Sequence, residues 1–130
     1  MVSVIKQEIR SSRAPAPVGP YSQAIRCRDI VFLSGQIPID PQTNQVVKEP
    51  FSRAVEIAMN NIGEILRSIG ASYDNIVKVT VYLTDINRFQ EFNEIYKKYF
   101  REPYPARTVV EVKSLPREAP IEIEAIAYVP

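Results

Sequence analysis

At 130 residues, 45% hydrophobic and 24% charged, with a net charge of +1, the chain has the composition of an ordinary globular protein of one domain over 1–130. Its 16 Lys and Arg against 15 Asp and Glu leave neither a nucleic-acid footprint nor a charge excess for a membrane surface. The absence of histidine excludes Ser-His and Cys-His pairs, an imidazole base and histidine-ligated zinc, and the single Cys27 excludes an internal disulfide and a cysteine metal cluster. No apolar run approaches the roughly 18 residues that would span a bilayer, so a cytoplasmic address is the default expectation.

In chain order, Val2 to Ile9 alternates loosely and predicts a first strand. Residues 11–20 hold Pro15, Pro17, Gly19 and Pro20, a composition that predicts an ordered loop leading into a second strand at Tyr21–Ile25. Ile30–Ser34 is an apolar strand ending at Gly35, where a glycine signals a bulge or a close approach of the backbone to another group. Asp40–Asn44 is a turn by composition.

Phe51–Ile69 repeats apolar residues at three-and-four spacing, with Pro50 at its start and Gly70 suited to a left-handed position past its end. Asn75–Thr84 switches to period two, a strand. Asp85 or Asn87 caps a second helix, with a stripe through Ile86, Phe89, Phe92, Tyr96, Tyr99 and Phe100, ended by Pro103 and Pro105.

Tyr104–Ala127 then predicts two strands joined by a short turn region. Alternation puts Thr108, Val110 and Val112 on one face of the first strand and Arg107, Val109 and Glu111 on the other; in the second, Ile121, Ile123 and Ala125 oppose Glu122 and Glu124. If the apolar faces turn to the core, Arg107, Glu111, Glu122 and Glu124 gather on the opposite face. They form there either a solvated surface with cross-strand ion pairs or a site. The expected fold is α+β, a mixed sheet of about six strands with two helices on one face. The other face is half apolar, which points to burial against further copies.

Five segments together resemble the RidA (YjgF/YER057c) family of reactive intermediate deaminases. They are Gly19-Pro20-Tyr21-Ser22-Gln23-Ala24, Ser34-Gly35-Gln36-Ile37-Pro38, Phe92-Asn93, Pro105-Ala106-Arg107 and Ile121-Glu122-Ile123-Glu124-Ala125-Ile126-Ala127. The resemblance implies a chorismate-mutase-like homotrimer with its sheets in a central barrel and clefts between subunits. It implies a hydrolase without cofactor or metal, converting the 2-imino acids released by pyridoxal-phosphate enzymes to 2-keto acids and ammonia; the charge balance and the lack of a long apolar run separately point to no nucleic-acid or membrane partner.

By the same resemblance Arg107 holds the substrate carboxylate through its planar fork, and Glu122 positions or activates water. Tyr21, Ser34, Gly35 and Asn93 shape the cleft. Taken as residues alone, Tyr21 also reads as a packing residue and Asn93 as a helix-surface residue. Val109 stands where several members carry cysteine, so only its backbone N–H is available to the substrate. A non-catalytic trimer that binds small carboxylates or a protein partner is the alternative; nucleic-acid cleavage is disfavoured by the near-neutral charge and the lack of histidine.

Overall fold

The computed structural model describes residues 5–130. Residues 2–4 of the first expected strand lie outside the described residues, and the remainder is strand only over Gln7–Ile9 (β1). Then follow β2 (Ala24–Cys27), β3 (Ile30–Gln36), α1 (Phe51–Arg67), β4 (Ile76–Leu83), α2 (Phe89–Tyr96), β5 (Ala106–Glu111) and β6 (Ile121–Tyr128). The six strands form one open mixed sheet in the order β1-β2-β3-β6-β4-β5, with only β4 and β5 parallel.

Helix α1 follows from its periodicity: Ala54, Val55, Ala58, Met59, Ile62, Ile65 and Leu66 are buried along one stripe. It closes as the sequence predicts. Gly70 takes a φ of +73° and donates to the Arg67 carbonyl at 3.0 Å, and Ala71 donates to Leu66 at 3.0 Å, which satisfies carbonyls orphaned by the helix end. The second helical stretch is shorter than its stripe. Asp85 Oδ1 accepts from the Asn87 N–H at 3.0 Å, but it caps a 3₁₀ turn, Ile86–Arg88, from which α2 continues, and Ile86 is exposed.

Both helices pack on the sheet face that carries Val31, Leu33, Val79, Val81, Leu83, Ile121, Ile123 and Ala125, all buried. The other face carries Ile25, Phe32, Ile126, Tyr128 and Val110 among Lys78, Thr80, Tyr82, Thr108, Glu122 and Glu124; Phe32 is 48% and Tyr128 47% exposed.

Three expectations are corrected. The second strand begins at Ala24, leaving Tyr21 in the loop before it. Strands β5 and β6, expected to share cross-strand ion pairs, are joined through residues 112–120 but are not neighbours, because β4 lies between them. Finally, the two faces of β5 are reversed. Arg107 is in register with Val79, and Glu111 with Leu83, on the helix side; Thr108 and Val110 are in register with Thr80 and Tyr82 on the open face. The expected gathering of Arg107 and Glu111 with Glu122 and Glu124 does not occur within one chain. Glu111 instead accepts from the Ile86 N–H at 2.9 Å.

Candidate functional site

The expected site residues fall into two groups. The first lies where β3 meets β6. Leu33 is in register with Ala125 and Gln36 with Ile123, so Ser34 and Gly35 together oppose the single Glu124, a β-bulge. The bulge turns the strand end toward the loop before β2, and the two are tied together. The Ser34 N–H donates to the Gln23 carbonyl at 2.9 Å and its hydroxyl to the Ser22 carbonyl at 2.6 Å. Gln23, 2% exposed, holds the proline loop in turn, accepting from the Ser11 N–H at 2.6 Å and donating to the Pro15 carbonyl at 2.9 Å.

Glycine at position 35 provides space rather than dihedral freedom. A Cβ there would overlap the Glu122 carboxylate, reaching 2.8 Å from its Cδ. Glu122 therefore lies across the bulge. Tyr21, Ser34, Gly35 and Glu122 line an open cleft of about 500 Å³, with Val18, Ile37, Pro116 and Glu124 among its other walls. Tyr21 is half exposed at the cleft.

Burial, and then the neighbouring charge of Glu124, raise the Glu122 carboxyl above its ordinary value of 4.5. Glu124 is committed elsewhere. The Tyr82 hydroxyl donates to its Oε1 at 2.5 Å, and that bond, with burial, pushes the phenol up to about 12. Glu122, in register with Tyr82, keeps no such partner of its own among the described residues, which leaves it able to accept and release a proton.

The second group lies across the sheet, between β5 and α2. Arg107 Nη1 donates to Asn93 Oδ1 at 2.8 Å. Its guanidinium sits 5.5 Å from the centre of the Phe89 ring, 5.6 Å from Phe92 and 4.9 Å from Tyr96, a cage of three aromatic faces on one helix. Such a cage fixes the planar fork while leaving other N–H groups to a cleft of about 470 Å³, lined by Asn93, Glu94, Tyr96, Lys97, Tyr104, Pro105 and Arg107. Val109 lies two residues on from Arg107, on the same face, half buried against the core.

One protomer thus brings Tyr21, Ser34, Gly35 and Glu122 together, and separately Arg107 and Asn93. In the sequence the cage residues Phe89 and Tyr96 stand out only as part of a helical stripe. What converts that stripe into a guanidinium seat is the parallel pairing of β5 beside it. A further groove of about 550 Å³, along the outer side of α1, contains none of these residues. Among the described residues no three His, Cys, Asp or Glu side chains converge as a metal site, and no helix is long and apolar enough to cross a membrane.

A family model described as Endoribonuclease L-PSP matches residues 11–129, nearly the whole chain. The chain belongs to the RidA (YjgF) family. Among its RidA relatives, a RutC family protein of Pyrococcus abyssi is 50% identical over 123 residues, which span 95% of this chain and 97% of that protein. The 2-iminobutanoate/2-iminopropanoate deaminase of Homo sapiens is 44% identical over 127 residues, 98% of this chain and 93% of that protein. The fold matches the crystal structure of Escherichia coli TdcF with bound serine at a TM-score of 0.90 and 38% identity, covering 95% of this chain and 99% of that one. The family resemblance carried by the five segments is borne out across the RidA chain, as is a six-stranded mixed sheet under two helices.

Proposed function

We propose that this RidA protein is a cofactor-independent hydrolase that deaminates 2-iminobutanoate and 2-iminopropanoate to the 2-keto acids and ammonia, in clefts between the subunits of a homotrimer. The activity is the one that names the Homo sapiens relative, matched over 98% of this chain. The observation that carries the reading is the division of the candidate residues. A carboxylate-binding arginine and a proton-accepting carboxylate lie on opposite faces of one sheet, and the Glu122 face is half apolar and open. Docking that face against further copies buries Phe32, Val110 and Tyr128, closes the three sheets into a barrel, and sets the Arg107 cleft of one copy against the Glu122 cleft of the next.

In the joined cleft Arg107 holds the substrate carboxylate through charge-assisted hydrogen bonds, with Asn93 and the aromatic cage fixing its plane. Tyr21 and Ser34 shape the opposite wall, Gly35 lets Glu122 lie close to the backbone, and the Val109 N–H offers a backbone contact. Glu122 takes a proton from water as its oxygen bonds to the imine carbon, while the C=N π pair moves to nitrogen. Glu122 returns that proton to the amino nitrogen of the resulting carbinolamine; the C–N bond then breaks as an oxygen lone pair forms the C=O bond, and the hydroxyl proton passes through Glu122 to the departing ammonia, which leaves as ammonium. The iminium is electrophilic without help, so positioning and one proton shuttle suffice.

The bound serine in TdcF shows that a protein of this fold holds an amino acid, which favours as second reading a small-carboxylate-binding trimer without turnover. The near-neutral charge and the absence of histidine argue against the ribonuclease that the family description names. A cytoplasmic location accords with the work of clearing metabolic imines. The test is ammonia release from 2-iminobutanoate generated in situ, with wild type, Arg107→Ala and Glu122→Ala. Acceleration by wild type that both variants lose supports the deaminase; tight 2-keto acid binding without acceleration supports the second reading.

A further inference from the structure

Two carboxylates, Glu122 and Glu124, line the same cleft from the same face of β6. Alternation alone gives them equal standing as a proton acceptor. Tyr82 of β4 makes them different. It is in register with Glu122, yet its hydroxyl donates diagonally to Glu124 Oε1 at 2.5 Å. A hydroxyl donates more strongly to an ionised carboxylate than to a neutral one, so this bond favours the anion of Glu124 and fixes where its charge sits.

The same bond occupies the Tyr82 hydroxyl, which leaves Glu122 beside a fixed negative charge without that donor. Burial and the Glu124 charge both favour the protonated form of Glu122. The other titratable and charged groups on this side are placed apart from the pair. The Lys78 ammonium of β4 donates to the Thr108 hydroxyl of β5 at 2.8 Å, and Arg117, in the segment before β6, donates to the Asn44 carbonyl at 3.2 Å. Tyr21 lines the cleft from the loop before β2, and β3 presents Phe32, Ser34 and Gly35 there, none of which titrates near neutrality. Tyr82 is not among the residues lining the cleft, so its route to the chemistry runs through Glu124.

We propose that Tyr82 is a positioning residue for the deamination: by holding the Glu124 carboxylate in place, it selects Glu122 as the member of the pair that exchanges protons with the substrate. This role rests on the proposed function. A shuttle that takes a proton from water and gives it back to nitrogen works best when its affinity for the proton is raised toward the working pH, and a fixed neighbouring charge does that.

The experiment measures kcat and KM on 2-iminobutanoate across pH for wild type, Tyr82→Phe, Glu124→Gln and the double variant. Glutamine at 124 keeps an oxygen for Tyr82 to bond and removes the charge. The acid limb of kcat/KM is expected at lower pH in Tyr82→Phe and lower still in Glu124→Gln. At neutral pH kcat falls by about tenfold or less, since the base is retuned rather than removed, and KM stays near wild type because Arg107 is untouched. The double variant follows Glu124→Gln alone, as a residue acting only through Glu124 requires. A merely structural tyrosine lowers Tm without moving the pH profile. A Tyr82→Phe profile that coincides with wild type or moves to higher pH, or effects that add in the double variant, overturns this role and leaves the proposed function standing. Wild type that does not accelerate the reaction overturns both.

Discussion

Arg107 and Glu122 lie on opposite faces of one sheet: Arg107 is in register with Val79 beneath the helices, and Glu122 with Tyr82 on the open side. Strand β4 separates their strands, so neither side chain reaches the other around a shared edge. A reaction that uses both needs two copies of the chain.

Co-assembly tests that directly. If the proposed trimer holds, Arg107→Ala and Glu122→Ala subunits, each expected to be inactive alone, combine into mixed trimers in which one cleft in three pairs an intact arginine with an intact glutamate. Random mixing at equal ratio makes roughly three-quarters of the trimers mixed and recovers roughly a quarter of wild-type activity. A site complete within one protomer would recover none.

Lysine in place of Arg107 keeps the charge and loses the fork. It also loses the planar contact with Phe89, Phe92 and Tyr96 and the bond to Asn93. Arg107→Lys is expected to lower kcat/KM by about ten- to a hundredfold, mostly through KM, with the fold intact by circular dichroism. A variant within twofold of wild type would remove Arg107 from carboxylate binding.

At Gly35 activity and stability should separate. The atoms that an added Cβ would meet belong to the Glu122 side chain, whose end can swing away, so Gly35→Ala displaces the carboxylate rather than breaking the sheet. We expect kcat/KM to fall about a hundredfold, the low end of general acid–base contributions, with Tm lowered by only a few degrees. Unchanged kinetics would mean that the position of Glu122 over the bulge is irrelevant to the reaction.

Glu122 also gives stability a pH dependence of defined sign. Burial and Glu124 raise its folded-state pKa above the ordinary 4.5, so the folded protein binds a proton more tightly than the unfolded chain does. Its contribution is therefore most favourable below 4.5 and declines as pH rises from there through the raised value. Glu122→Gln removes that decline. Its Tm relative to wild type should be higher at pH 7 than at pH 4, and a difference that does not change with pH would show that Glu122 titrates normally.

Much of this was determined by the sequence alone. The three-and-four spacing of α1, its closure at Gly70 and the Ile-Glu alternation of β6 are local signals, each satisfied by the chain's own neighbours. The five family segments likewise named the candidate residues. What only the tertiary structure decided was the parity of β5 and its place in the sheet. Thr108, Val109 and Val110 offer an apolar residue to either face, so alternation left the facing of Arg107 open. Parallel pairing with β4, seating Val109 against the core and the guanidinium among three rings of α2, resolved it. Those partners are distant in sequence, and a strand's own pattern holds no information about which distant surface will cover it.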